Sequence, residues 1–550
     1  MGIVWLRSNK NLLLVSFSAF LCCSCAHFDA HPPKDYIGPQ TAEPNALPRD
    51  SGRDTNPQSA IMSPPASTGG RNPQSDTGPL RITTEQATLL ALENNRSLVV
   101  ERLNPQIAQT LVPERLSIFD PLLTGQVGYG WNGLTQGPFD ADRSGPTATV
   151  GVQEFLPTGT SLGVTGSASV LPIAGLPAGV DDFGSTLAFN ATQSLLRGFG
   201  SAVNLASVNQ ARIDVQISQY ELRGFVQTLI AQVEETYWDY ALAERRIEIY
   251  TQSLALAQRQ LEETQERIKV GDLARTERSA AEAEVALRRE ALINARSTLA
   301  KTKLALLRLV NPPGMKLWDR EVVLASLPTS PSITLDEVEP HVALALQMRP
   351  DLNQARLLWQ RGELEIVKTR NGLLPKLDLF VTLGRSGFAE SFGKSITGTD
   401  DNGYDVLTGL NFEFPVWNRA AESRHLRAVL TRRQAKEAIG NLSQLIEVDV
   451  RTAYLEIARS QEQVVATAAT RKLQEEKVGV ETEKFRLGKS TSLLVAQAQR
   501  DLVSSQIDEV QAVVNYLKAL VEIYRQEGSL LERRGIAGPG REPVELPEEF

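Results

Sequence analysis

The sequence predicts an α+β membrane protein in which a unit of strand hairpin followed by a pair of long helices occurs twice. Three observations carry this: an internal repeat, segments that alternate apolar and polar residues, and long stretches whose apolar positions recur every 3.5 residues. The repeat is read at two offsets. Ala91-Leu92-Glu93-Asn94-Asn95-Arg96-Ser97-Leu98 matches Ala345-Leu346-Gln347-Met348-Arg349-Pro350-Asp351-Leu352 at an offset of 254, which also takes Pro121 to Pro375. Val233, Tyr237 and Ala241 recur as Val450, Tyr454 and Ala458 at an offset of 217, which also takes Gly271 to Gly488. The first copy therefore holds 37 extra residues between Pro121 and Tyr237.

After Pro121, Leu123, Val127, Tyr129 and Trp131 fall on one face, with Thr124, Gln126, Gly128 and Asn132 on the other. That is a strand with one apolar face. Its counterpart after Pro375 sets Leu377, Leu379, Val381 and Leu383 against Asp378, Thr382 and Gly384. Returning strands run through Leu187, Phe189 and Ala191 in the first copy, and through Val406, Leu410, Phe412 and Phe414 in the second. The first copy adds a hairpin, Ala148-Val150-Val152 and Leu162-Val164-Ala168-Val170, joined by a turn over 156–160. Pro121 and Pro375 stand where helix gives way to strand, and their fixed φ stiffens that corner.

Beyond the strands the period changes. Val226, Ile230, Val233, Tyr237 and Tyr240 step by four and three, the heptad pattern of a helix that supercoils on a neighbour. The helix is expected to run to about Val270, stop at Gly271, and be followed by a second from Arg275 to Val310, interrupted on its apolar face by Arg288 and Thr302. The second copy repeats the pair over Glu422–Leu487 and Ser492–Leu531. Tyr237 and Tyr454 read as core packing, and Tyr129 and Trp131 suit either an aromatic girdle or plain barrel packing.

Composition limits the classes that remain. With 42% hydrophobic residues, 22% charged residues and a net charge of −8 over 550 residues, the chain can bury a core and carries no global basic field, so nucleic acid is not an expected partner. After residue 21 no apolar run reaches the roughly 20 residues of a spanning helix, which excludes a helical membrane bundle and leaves a β-barrel. Open sheet edges are not tolerated in lipid, so a few strands per chain span a membrane only if several chains close one barrel. No cofactor is expected and the chain reads as no enzyme. Of the four histidines, His27 and His31 lie in the N-terminal tether, His341 and His425 lie on different segments without a nearby Cys, and phosphate-loop motifs are absent.

The ends read differently. Residues 1–25 form an export signal, with Arg7 and Lys10 before an apolar core from Leu12 to Leu21. Leu21-Cys22-Cys23-Ser24-Cys25-Ala26 resembles a bacterial lipobox, which makes Cys25 the candidate lipidation site. Cys22 stands where such signals usually carry Leu, so ordinary cleavage stays open. All three cysteines lie in this leader, so the mature chain has no disulfide framework. Residues 26–80 are a Pro-rich tether without periodicity, and 533–550 a similar tail, both expected to be disordered. Between them, 81–311 is repeat 1, 312–332 a linker and 333–532 repeat 2.

The ordered combination resembles the outer membrane efflux protein family, the TolC-like ducts. The matching features are Ala91 to Asn95, Phe119-Asp120-Pro121, Gln193 to Gly200, Val270-Gly271, Leu487-Gly488 and Phe414-Pro415-Val416-Trp417-Asn418-Arg419. The resemblance implies a homotrimer seated in outer-membrane lipid, whose strands make one β-barrel and whose helices make a periplasmic α-helical barrel. It also implies docking onto a periplasmic adaptor (membrane fusion) protein and an inner-membrane pump, as the exit duct of a tripartite efflux or type I secretion system. The rival reading is a lipid-anchored periplasmic coiled-coil tether that does not conduct. The family has four strands per protomer, twelve per trimer. The extra hairpin is taken here as an external or luminal loop, with an eighteen-stranded wall kept open by the alternation of Val150, Val152, Leu162 and Val164.

By the same resemblance, the adaptor-contact tips are Val270, Gly271, Asp272, Leu273 and Ala274 with Leu487, Gly488, Lys489, Ser490 and Thr491. The family's tip latch uses an acid six residues past the first glycine, here Glu277. Its partners are an aromatic three before the second glycine, here Phe485, and an Arg two after it, where Ser490 stands beside Lys489. The acidic constriction positions six and nine past the second glycine are Leu494 and Gln497, so a strong cation-selective ring is not expected there. A solvated helix face is the plainer account of Glu277 and Lys489, because exposed ion pairs contribute under about 1 kcal/mol.

Overall fold

The first copy opens on a three-residue strand, β1 (Leu80–Ile82), whose end is a helix cap. The Thr83 hydroxyl accepts the Gln86 N–H at 3.2 Å, and the Gln86 side chain accepts the Thr83 N–H at 3.1 Å, so α1 (Thr84–Asn94) begins with two end amides satisfied. Asn95 caps α2 (Arg96–Glu101), and α3 (Leu103–Leu116) delivers the chain to the membrane strands. These are β2 (Leu122–Leu134), β3 (Ala141–Phe155), β4 (Thr160–Leu171) and β5 (Asp182–Ser194). Two long helices follow, α4 (Ala206–Lys269) and α5 (Thr276–Val310). This computed structural model describes residues 79–134, 141–171, 182–313, 317–330, 337–389, 391–397 and 404–546.

The second copy repeats the order. β6 (Val322–Leu324) pairs in parallel with β1, so the inter-repeat linker is pinned to the first copy. Then come α6 (Val338–Met348), α7 (Pro350–Asn371), β7 (Lys376–Ala389), β8 (Tyr404–Glu413), α8 (Arg419–Arg486) and α9 (Ser492–Gln526). At 1.5 Å per residue, the 64 residues of α4 and 68 of α8 give helices roughly 95–100 Å long. α9 stops five residues before the expected Leu531. Gly528 turns the chain there against the backbone of Met348, where a Cβ would come within 2.9 Å.

All six longer strands form one antiparallel sheet in the order β2-β3-β4-β5-β7-β8. The extra hairpin is therefore part of the wall, and the loop reading is corrected. Hydrogen-bond partners explain why: β3 pairs β2 from Leu122↔Gln153 to Leu134↔Ala141, and β4 pairs β5 from Thr160↔Gln193 to Leu171↔Asp182. Directly opposed residues share a face, so the register draws one line across the sheet, Leu123, Val152, Val164, Phe189, Leu383 and Val406. Every member is apolar. The neighbouring line on the other face, Thr124, Gly151, Thr165, Ala188, Gly384 and Asp405, is small or polar. Exposed Tyr129 and Tyr404 stand on the apolar face at the end away from the helices, and Phe412 near the helices, an aromatic pattern suited to membrane interfaces. Trp131 lies in β2, but its side chain is outside the described residues.

The turn between β3 and β4 is locked to the joint where β5 meets α4. Gly200 N–H donates to the Thr158 carbonyl at 3.1 Å, Ser194 N–H to that of Gly159 at 3.0 Å, and Asn204 Nδ2 to that of Pro157 at 2.9 Å. Gly159 has φ +89°, and a Cβ there would stand 2.2 Å from the Gly198 carbonyl oxygen.

The helices lie as neighbours in the order α5, α4, α9, α8. Asp239 of α4 pairs with Lys518 of α9 at 2.6 Å, and Arg471 of α8 pairs with Glu509 of α9 at 2.7 Å. Val226, Ile230, Val233, Tyr237 and Tyr240 are all buried, as their heptad spacing requires. Arg288, the interruption on α5, is buried too and lies 2.7 Å from the Glu284 carboxylate one turn away. Tyr237 does more than pack: its hydroxyl donates to the Ile82 carbonyl at 3.1 Å and accepts the Ser326 N–H at 3.0 Å, tying both short strands to α4. Tyr240 donates to the Val322 carbonyl at 3.2 Å, and burial pushes its phenol up to about 12.

A polar collar joins the copies at mid-height. Arg349 reaches Asp351 at 2.7 Å and Asp449 at 3.0 Å, Arg534 holds buried Glu234 through two 2.6 Å hydrogen bonds, and buried Arg223 pairs with Glu532 at 2.6 Å. Buried Glu527 accepts from Ser529 at 2.6 Å and is hydrogen-bonded to His341 Nδ1. The segment read as a structureless tail differs from that reading between Arg534 and Leu546. It lies along the collar, with Val544 N–H on Asn353 Oδ1 at 2.9 Å, Gln360 on the Glu545 carbonyl at 3.1 Å, and Tyr220 on the Glu542 carbonyl. Its Pro and Gly residues preclude regular structure but not pairing with side chains of α4 and α7.

Replacing Gly159 with Val should open the β3–β4 turn, through a disfavoured φ and a direct clash, at a cost of about 2 kcal/mol or more. The check is thermal unfolding of the purified protein alongside Thr158→Val, which keeps the backbone and should melt close to the parent.

Candidate functional site: the paired helical tips

Both long helices end in the same motif. Gly271 N–H donates to the Ile268 carbonyl at 3.1 Å and Asp272 N–H to that of Arg267 at 2.8 Å. Gly488 N–H donates to the Phe485 carbonyl at 3.0 Å and Lys489 N–H to that of Lys484 at 2.8 Å. These are Schellman caps, which need a left-handed residue, and the two glycines have φ +85° and +70°. Thr491 caps the returning helix, accepting Leu494 N–H at 3.4 Å.

The caps set an apolar knob beside a charge on each tip. Val270 is 76% exposed and Leu487 70%, while exposed Asp272 follows the first knob and exposed Lys489 the second. Matching positions of the two repeats thus carry opposite charges. Leu273 is half-buried, Ala274 is exposed, and Ser490 turns inward to donate to Glu481 at 2.8 Å. Lys484 also reaches Glu481 at 2.7 Å, and these two bonds, Lys484 first, hold its carboxyl below the ordinary value of 4.5.

Of the latch residues, Glu277 does meet the other tip, but its partner is Ser492, whose hydroxyl donates to the Glu277 carboxylate. Neither Phe485 nor Lys489 meets it. Phe485 is buried beneath the Arg267 guanidinium, which sits 5.0 Å from the ring centroid, so its role here is packing between the tips. Leu494 and Gln497 are exposed on α9. Arg267 and Ser492 were missed from sequence. Arg267 had a signal, since it and Lys484 stand four residues before their glycines in both copies. Ser492 had none, because its partner lies 215 residues away. Cys25 lies outside the described residues. Among the described residues no group of three or more His, Cys, Asp or Glu is placed to hold a metal, and no helix is long and apolar enough to cross a membrane.

Phe485→Ala should loosen the contact between the tips by about 3 kcal/mol, read as faster amide exchange over 265–277 and 481–493. Glu481, with its folded value lowered, stabilises its tip above 4.5 and ceases to do so as the pH falls through the lowered value. Exchange near Ser490, corrected for intrinsic rates, should stay constant between pH 7 and 5 and rise only below 4.5.

The chain matches the family described as "Outer membrane efflux protein" over residues 180–311 and 342–529. It is 26% identical over 337 residues to the outer membrane efflux protein BepC of Brucella suis, covering 60% of this chain and 68% of that one. It is 24% identical over 338 residues to the pyoverdine export outer membrane protein OpmQ of Pseudomonas putida, covering 59% and 65%, so the match spans slightly under two thirds of OpmQ. Its fold is similar to that of the outer membrane protein VceC from Vibrio cholerae, with a TM-score of 0.61 at 16% identity over 81% of this chain and 96% of that one. With a family match over more than half its length, a duplicated sheet-and-helix fold and a lipid-suited apolar face, the chain belongs to the outer membrane efflux protein family, an outer-membrane protein with a periplasmic helical extension.

Proposed function

We propose that this chain is the exit duct of a tripartite efflux or type I secretion system. It acts as a passive homotrimeric channel that docks through its helical tips onto a periplasmic adaptor and an inner-membrane pump. The observation that carries the reading is the sheet. It has one apolar face, one polar face and two open edges, β2 and β8, and in hydrocarbon those edges need strands from further copies. A coiled-coil tether has no use for such a sheet. The outer helices support assembly as well, since Leu445, Val448 and Leu455 on α8 and Leu287 and Ile293 on α5 are exposed where a second copy would cover them. The tips supply apolar knobs and opposite charges to a docking partner. The likeness to OpmQ, named for pyoverdine export, supports a small-molecule cargo. Cys25, acylated, would add a lipid anchor through the 26–80 tether.

In planar bilayers the purified protein should conduct as discrete steps, and a sealed, monomeric product would overturn the channel reading. Glu277→Ala and Ser492→Ala should each release the tips and raise conductance severalfold, whereas an unchanged closed state would reject the latch. For the anchor, Cys25→Ala should lose the acyl mass shift of the mature form while the parent keeps it.

A further inference from the structure

We propose that three copies of the six-stranded sheet close an eighteen-stranded wall, so that the membrane section of the duct is wider than a twelve-stranded one. This rests on the trimeric reading above.

Four observations carry it. Each of the six strands has between 10 and 15 residues, enough to cross the hydrocarbon when tilted. The apolar line Leu123, Val152, Val164, Phe189, Leu383, Val406 passes through β3 and β4 without a polar break, so the added strands present lipid with the same face as their neighbours. The turn that joins them is hydrogen-bonded into the joint between β5 and α4. Finally, β2 runs away from the helices and β8 returns towards them, so β8 of one copy meets β2 of the next antiparallel, continuing the sheet without a change of sense.

Size follows from geometry. Eighteen strands about 4.8 Å apart and tilted about 40° enclose a backbone cylinder roughly 36 Å across, against roughly 24 Å for twelve. On the polar face the added hairpin contributes uncharged Thr149, Gly151, Gln153, Thr165 and Ser167, beside Asp378 and Asp405 of the neighbouring strands. The wider membrane section therefore admits bulkier hydrated solutes than a twelve-stranded one.

The test uses the full chain, whose only cysteines are Cys22, Cys23 and Cys25 in the leader. Single variants Val150→Cys, Val164→Cys, Thr149→Cys and Thr165→Cys are challenged in outer-membrane vesicles with a water-soluble maleimide and with a lipid-dissolved one. The threonine positions should react from water at least tenfold faster than the valine positions, and the valine positions should react from lipid. Val150 and Val164 reacting from water as fast as their neighbours would overturn the proposal by making the hairpin a loop. If one pair fails to reach the membrane, Val152→Cys and Gln153→Cys provide the same comparison. A second arm combines Val127→Cys with Val406→Cys, Thr408→Cys or Leu410→Cys. Oxidation should yield covalent dimers and trimers for at least one partner, and a bond confined within single chains would also overturn the closure. Native mass spectrometry counts the copies, so another copy number with the expected labelling would fault the trimer while leaving the hairpin in the wall.

Discussion

A sheet in hydrocarbon has no water with which to satisfy its edges, and this constraint organises the rest of the molecule. Six strands with twist and one apolar face are too few to seal a water-filled barrel, so the chain carries two edge strands, β2 and β8, that further strands must meet. The duplication suits this need. Each repeat brings outward and returning strands in equal number, which keeps every pairing antiparallel, and an inserted hairpin adds two strands without disturbing that parity. The helices inherit the same arrangement, because each membrane-side helix is anchored to a strand end.

That anchoring depends on the joints, where rigid corners meet reciprocal hydrogen bonds. Leu195 N–H reaches the Leu377 carbonyl at 2.7 Å, Gly198 N–H reaches Asn371 Oδ1 at 2.7 Å, and Asn418 Nδ2 reaches the Leu373 carbonyl at 3.2 Å. The first two bonds tie the strand-to-helix exit of repeat 1 to the helix-to-strand entry of repeat 2, and the third ties the exit of repeat 2 to that same entry. Tilting one helix pair against the sheet would break bonds belonging to both repeats, so the sheet and the upper helices move as a unit. The tips are held more lightly, by one hydroxyl, one guanidinium on a ring and two glycine caps, which places the deformable part of the duct at the end farthest from the membrane.

Much of this was legible in the sequence, for reasons that particular residues make plain. Heptad positions such as Val233 and Tyr237 are buried because a long helix has no other way to bury them, and Gly271 and Gly488 end helices because a Schellman cap needs a left-handed residue. Alternation identified Val150 and Val164 as strand residues but left the placement of their hairpin open. Side-chain period reports a strand's faces, whereas membership of a wall is decided by backbone partners some thirty residues away. Arg288 looked like a break in the apolar face because its Glu284 neighbour, four residues earlier, was not counted with it. The tip showed the same limit: Glu277 entered as a latch candidate by resemblance, with a solvated helix face as the plainer account, and its bond to Ser492 follows from three-dimensional proximity alone.

The collar has a consequence for biogenesis. Glu234, Arg223 and Asn353 lie in separate repeats, yet their partners Arg534, Glu532 and Val544 all follow α9 in the chain. A polypeptide synthesised from its N-terminus presents both helical hairpins before any of those partners emerges. Until then Glu234 and Arg223 lack their counter-charges, and the mid-height junction between the repeats is incomplete. The order of synthesis thus leaves the mid-height junction to close last, once the whole duplicated region is present.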